Sequence, residues 1–189
     1  MKLTLTTLTA LAALVTTISA QPFALLAARS ASPIHLRPIE ASGTRLYIGR
    51  RTATYCPTNI QRAGGCPNKT PAEISTLFVG GTGSLAMSVT VPGGQRVYVD
   101  PACGAVGYTT AHSAAMPVGA ILGGWELEQG KSFGVLGFEE GLVACPVNRQ
   151  KGVYQVFAAL EGLELGEDCL GFNALAPNAT KSVGAWQYN

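Results

Sequence analysis

The chain has 189 residues, with 13 lysines and arginines against 11 aspartates and glutamates, and only 13% of its residues are charged. A formal net charge of +2 gives no basic field for nucleic acid and no acidic run. Past the N-terminus there is no further apolar stretch of about 20 residues to serve as a membrane span, so no membrane association is expected once the leader is gone.

In chain order, the first element is a leader. Met1-Lys2 supplies a positive start, residues 3–18 are apolar and threonine-rich, and Ser19-Ala20 supplies small residues at a cut. This is the pattern of a secretory signal peptide, with cleavage after Ala20. Residues 21–189 are then expected to be a single secreted β domain. About 169 residues can bury roughly 70% of their unfolded surface. The C-terminus has no hydrophobic tail, so no lipid anchor is expected there.

Helix signals are nearly absent after the leader. In residues 85–91, Leu85, Met87, Val89 and Val91 alternate with Ala86, Ser88 and Thr90, the period of a half-buried strand. Pro92-Gly93-Gly94 is a turn, and residues 95–100 form the next strand. Residues 124–127, 133–138, 142–145 and 153–158 read the same way. Residues 76–108 and 124–157 can be aligned as a weak repeat of four strands, with a glycine turn after Val79 in the first. An N-terminal copy covers residues 23–55, and the third strands begin near Leu46, Val97 and Leu142. The expectation is all-β: a β-trefoil-like closed barrel of three four-stranded repeats, with a β-sandwich as the alternative. The segment after Cys169 is less regular, and Trp186 is expected to pin a last strand or docked tail at its end.

Five cysteines lie at 56, 66, 103, 145 and 169. In an oxidising compartment the default is two bridges and one thiol left over. Cys56 and Cys66 flank a Pro- and Gly-rich loop, which suits local pairing. Cys145 and Cys169 would then close a loop of about 25 residues, worth about 3 kcal/mol in the chain-entropy model. Cys103 is left as a free thiol or an intermolecular bridge; the alternative places Cys103 in a bridge and frees another cysteine. Asn68-Lys69-Thr70 and Asn178-Ala179-Thr180 fit N-glycosylation acceptors, so Asn68 and Asn178 are candidate modified residues.

Catalytic patterns are weak. Gly81-Thr82-Gly83-Ser84-Leu85-Ala86 matches a dinucleotide fingerprint, but a strand pattern follows it where a helix is needed. The two histidines are His35, read as the solvent side of a strand, and His112, in a loop beside Ser113. A serine triad needs more than this. Glu126 with Glu128, Glu139 with Glu140, and Glu167 with Asp168 are carboxylate pairs of the kind used by glycosidases, and each reads as solvated. Tyr47, Tyr98, Tyr108, Trp125 and Tyr154 read as packing residues ahead of sugar-stacking ones. The cysteines have no C-x-x-C pairing for zinc. No catalytic, cofactor-binding or metal site is expected.

Several strings carry a family resemblance: Val91-Pro92-Gly93-Gly94-Gln95-Arg96-Val97-Tyr98-Val99-Asp100, Gly107-Tyr108-Thr109-Thr110-Ala111-His112-Ser113, Gly124-Trp125-Glu126-Leu127, Leu142-Val143-Ala144-Cys145-Pro146 and Tyr154-Gln155-Val156-Phe157-Ala158. Together they resemble the secreted fungal cell-wall proteins related to PhiA, often labelled IgE-binding proteins. The region from Trp125 to Cys169 is also similar to the C-terminal module of fungal wall proteins with internal repeats. The resemblance implies a non-enzymatic wall or surface protein supporting wall organisation or asexual, conidiophore or phialide, development, and an allergen. Its implied partners are cell-wall polysaccharide or wall proteins, with no cofactor. Cys145 and Cys169 match the family's cysteines, which supports their pairing; Cys103 departs from the pattern. The alternative function is a carbohydrate-binding, lectin-like trefoil or a host-directed effector.

Overall fold

The computed structural model describes residues 21–70, 73–179 and 184–189; the expected leader, residues 1–20, lies outside them. The first strands are β1 (Leu26–Ala28), β2 (Arg37–Ser42), β3 (Arg45–Ile48) and β4 (Thr54–Tyr55), followed by a five-residue helix, α1 (Thr58–Arg62). Then come β5 (Phe78–Met87), β6 (Gln95–Val99), β7 (Val106–Tyr108), β8 (Trp125–Glu128), β9 (Gly134–Phe138), β10 (Leu142–Pro146), β11 (Tyr154–Ala158), β12 (Leu170–Ala176) and β13 (Gln187–Tyr188). The protein is all-β apart from that one helix among the described residues.

Six strands close into a barrel in the order β1-β2-β3-β11-β10-β12, with β12 returning to β1. The register is antiparallel throughout, with Ile39 opposite Ile48, Tyr154 opposite Ile48, Val143 opposite Phe157, Leu142 opposite Phe172, and Leu26 opposite Leu175. Closure leaves the ring without an unpaired edge. Its interior alternates large and small. Ile48, Ala27, Ala41, Ala144, Ala158 and Ala174 are fully buried, with Ile39, Leu142 and Val156 among them. A six-stranded ring is too narrow for bulky side chains at every inward position, so alanine is the fitting residue at many of them. From β12 the sheet continues through β9, β8, β5 and β6 to β7, which returns to β3 through Arg45 opposite Gly107.

Closure is as expected; the threefold repeat is not what the strand order displays. The ring takes β1–β3 from the N-terminal unit and β10–β12 from the C-terminal end, and none of β5–β7. Leu46 and Leu142 therefore sit in ring strands, while their counterpart Val97 lies in β6, outside the ring. Nor does the chain form an open sandwich. Two local features explain the difference. The glycines after Val79 do not end a strand, because β5 runs through them for ten residues. Gly81 has φ +96°, and a Cβ there would lie 2.7 Å from the Leu127 Cβ, so a bare backbone lets β8 press against β5. The stretch after Cys169 is a seven-residue strand, β12, with Phe172, Ala174 and Ala176 inward.

The C-terminal end is pinned by Tyr188 rather than Trp186. Tyr188 is buried in the core; its hydroxyl donates to the Ser75 carbonyl (2.8 Å) and accepts from the Leu77 N–H (3.0 Å). Gln95, itself buried, completes the clamp. Its Nε2 donates to the carbonyls of Thr109 (2.8 Å) and Tyr188 (2.9 Å), and its Oε1 accepts from the Tyr188 N–H (2.8 Å). Trp186 is half-buried, and its indole N–H has no partner.

Candidate functional site

The catalytic candidates lie on different surfaces. His112 sits at φ +59° in the loop between β7 and β8 and lines a hollow with Arg96, Thr109, Ser113 and Met116, but no carboxylate. His35 is in the turn before β2 rather than on a strand, exposed, in a separate hollow with Arg29, Ser30, Glu140 and Asn173. No hydrogen bond joins His35 to Glu140 or Ser30 among the described residues, and Arg29 donates to the Gly171 carbonyl (2.7 Å). Glu126 and Glu128 face solvent from β8, opposite in sense to Trp125 and Leu127. Glu139 is exposed beside Glu140, and Glu167 and Asp168 are exposed before β12. Residues 81–86 lie in β5, a strand, where a phosphate-binding turn would need a helix. Of the aromatic candidates, Tyr47, Tyr98, Tyr108 and Trp125 are buried. No group of three potential metal ligands occurs among the described residues.

Three of the five cysteines gather in one place. Cys56 is bridged to Cys66 across α1, and Cys145 to Cys169 across a separation of 24 residues, with Cα atoms 4.2 Å apart. Cys103 is unpaired and exposed. It sits in the turn after β6, where the Asp100 carbonyl accepts from the Gly104 N–H (2.7 Å) and the Asp100 carboxylate from the Ala102 N–H (3.1 Å). Gly104 presses this turn onto β11: a Cβ there would lie 2.6 Å from the Ala158 carbonyl oxygen and 2.9 Å from Leu163. Cys103 and the Cys145–Cys169 bridge consequently line one groove of about 460 Å³, with Phe157, Leu163 and Leu165 and the acids Glu164, Glu167 and Asp168.

A second, polar cavity of about 670 Å³ opens beside β2 and the end of β3, lined by Glu40, Arg50, Arg51, Thr52, Thr70, Ile74 and Ser75. Its back wall is a hydrogen-bond network. One Glu40 carboxylate oxygen accepts from the Thr52 hydroxyl and from the Thr76 N–H. The Thr52 and Thr76 hydroxyls are 2.8 Å apart, and that of Thr76 accepts from the Ala41 N–H (2.8 Å). Arg50 lies over the Tyr47 ring, 3.8 Å from its centroid, and donates to Gln150 (3.0 Å). At the rim, the Thr70 N–H and hydroxyl bond to Glu73 and hold its carboxyl below the usual range, with Lys69 adding a smaller effect.

The model of the PhiA-like secreted protein family matches residues 23–189. The chain belongs to this family. A relative described as an uncharacterized secreted protein, from Arthroderma benhamiae (strain ATCC MYA-4681 / CBS 112371), is 37% identical over 161 residues, covering 80% of this chain and 77% of its own length. No solved structure matches. Members of the family are secreted, and so is this protein. In that compartment bridges such as Cys56–Cys66 and Cys145–Cys169 persist. The polar cavity has no contiguous signature in the sequence. Its one local trace is the polar run Arg50-Arg51-Thr52 directly after β3, which resembles any solvated turn until Glu40, Thr70 and Ser75 are brought beside it.

Proposed function

We propose that this family member is a non-enzymatic protein of the fungal cell wall or surface that supports wall organisation or asexual development. The observation that carries the reading is the match to a secreted fungal-type family along residues 23–189. The exposed Cys103 thiol supports a disulfide link to a wall partner. Cleavage after Ala20 fits a fold that engages the chain at once, since the Pro22 carbonyl already accepts from the Ala179 N–H (2.9 Å). Asn68 and Asn178 are exposed and suit glycan attachment; Thr180 of the second acceptor lies outside the described residues. A protein so displayed is also open to host antibodies, in keeping with recognition by IgE.

The test is fractionation of the producing fungus with and without reductant. The protein is expected in the wall fraction, released by reductant, with Cys103→Ser releasing it without reductant. Recovery of the wild-type protein wholly from the medium would sink the reading.

A further inference from the structure

Charge is unevenly distributed along the chain. From Arg29 to Arg96 there are eight basic residues and two acidic ones; from Val97 to the end there are four basic and nine acidic. The fold concentrates part of the first excess at one end of the barrel. Arg37 opens β2, Arg50 and Arg51 follow β3, and the turn between β10 and β11 carries Arg149 and Lys151. The end of β3 and the β10–β11 turn meet at Gly49, where a Cβ would lie 2.4 Å from the Gly152 carbonyl oxygen and 2.5 Å from an Arg37 guanidinium nitrogen. Arg37 donates to that same carbonyl (2.9 Å). The ion pair seen among the described residues is Lys69–Glu73, so these arginines hold no carboxylate within salt-bridge distance.

Arg50 and Arg51 line the polar cavity together with Thr52, Thr70 and Ser75; the Thr52 and Thr70 hydroxyls already donate to Glu40 and Glu73, which leaves them as acceptors. The carboxylate there, Glu40, has one oxygen turned inward onto Thr52 and Thr76. A guanidinium pairs bidentately with a carboxylate or phosphate. Hydroxyls and a second carboxylate oxygen suit sugar hydroxyls, and Ile74 offers a small apolar face. Stacking on Tyr47 and the bond to Gln150 preorganise Arg50, which lowers the entropy cost of binding. The cavity's volume is within the usual range for a small-molecule site.

We infer that this cavity binds an anionic saccharide, one carrying a carboxylate or a phosphate, through Arg50 and Arg51. The inference deepens the proposed surface role by naming a ligand class, and it rests on that role only for where the ligand comes from.

Calorimetry on the mature, disulfide-bonded protein tests it. One arm compares a glucuronate-containing oligosaccharide with a neutral oligosaccharide of equal length; the other compares mannose 6-phosphate with mannose. In at least one arm the anionic member should bind about tenfold or more tightly than its neutral match, and more weakly as salt rises. The arm that responds identifies the anionic group. Arg50→Ala/Arg51→Ala should lose about tenfold or more in affinity while staying folded, with a small drop in melting temperature from the lost Tyr47 and Gln150 contacts. Arg149→Ala/Lys151→Ala, outside the cavity, should lose much less. Asn68→Gln, which removes any glycan two residues from Thr70, should bind as wild type or better. Equal binding of neutral and anionic sugars, no binding in either arm, or equal losses in the two double variants would overturn the site. Binding to purified protein and retention in the wall fail separately, so a negative result here leaves the fractionation outcome standing on its own.

Discussion

The arginine cavity, at about 670 Å³, and the sulfur-lined groove, at about 460 Å³, are anchored to the barrel in different ways. The cavity rests on β2 and β3, whose inward residues Ile39 and Ile48 belong to the closed ring. The groove rests on a turn pressed against β11 and on residues 159–169, held at their far end by the Cys145–Cys169 bridge. Six of the cavity's seven lining residues lie on connections, but Glu40 on β2 bonds Thr52 and Thr76 and ties those connections to the ring, so this site is expected to fail with the barrel. The groove's connections are tied by the bridge instead, and connections open at lower free energy than a core does.

The largest expected effect breaks the first half of this contrast. Ile48 is fully buried and paired on both sides, to Ile39 and Tyr154. Ile48→Ala should cost about 2–5 kcal/mol in chemical denaturation, and the transition should stay single, because cavity and ring unfold together. A separate early transition near residues 49–52 would show the cavity to be independent of the ring.

Next comes the groove. Cys145→Ser/Cys169→Ser should cost about 3 kcal/mol or less, since residual denatured-state structure reduces the loop-entropy gain. Hydrogen exchange should quicken in residues 159–169 and leave the Ala41 amide, bonded to Thr76, protected. Uniform acceleration would erase the distinction between the two sites.

A third test reads the clamp behind the cavity. Burial raises the Tyr188 phenol to about 12 from an unfolded value of 10.0, the bonds to Leu77 and Ala185 offsetting part of the shift. The folded state therefore holds this proton more tightly than the unfolded one. The stabilisation is fully present below pH 10 and is lost as pH climbs through about 12. Unfolding free energy should fall over that window by roughly 2–3 kcal/mol from this group. Tyr188→Phe should be less stable by about 1–3 kcal/mol at neutral pH, because the Ser75 carbonyl loses its donor, and its alkaline loss should be smaller. An unchanged alkaline profile would mean another group governs it; Tyr108, also raised by burial, is the next candidate.

How much of this was legible depends on how local each signal was. The alternation of Trp125 and Leu127 with Glu126 and Glu128 gave the faces of β8 correctly. The same period, extended back from Val97 and Val99, places Gln95 inward, and its amide turns out to clamp the C-terminus. β12 was missed because its inward residues include Ala174 and Ala176, whose small side chains leave a weak hydrophobic period, although they suit a narrow ring. The glycine run in β5 reads as a turn because its real reason, the approach of Leu127, is made 46 residues away. The arginine cavity depends on residues from three segments that meet only after the β2–β3 hairpin and the Thr76 contact have formed. No window of sequence contains it.

The smallest expected effect separates reactivity from structure within the groove. Cys103 is exposed, has no sulfur partner, and occupies a turn whose hydrogen bonds are made by the Asp100 carbonyl and carboxylate with the backbone around it. Nothing in that turn uses the thiol. Cys103→Ser should therefore stay within about 0.5 kcal/mol of wild type, while wild type takes up one equivalent of a thiol reagent under native conditions and the variant takes up none. The neighbouring Gly104 behaves oppositely: at φ +72° and against the Ala158 carbonyl, it cannot accept a side chain without moving β11 or the turn. Gly104→Ala should therefore be destabilised where Cys103→Ser is not. Equal destabilisation of the two would make Cys103 a packing residue and remove the reason to regard the groove as a place of attachment.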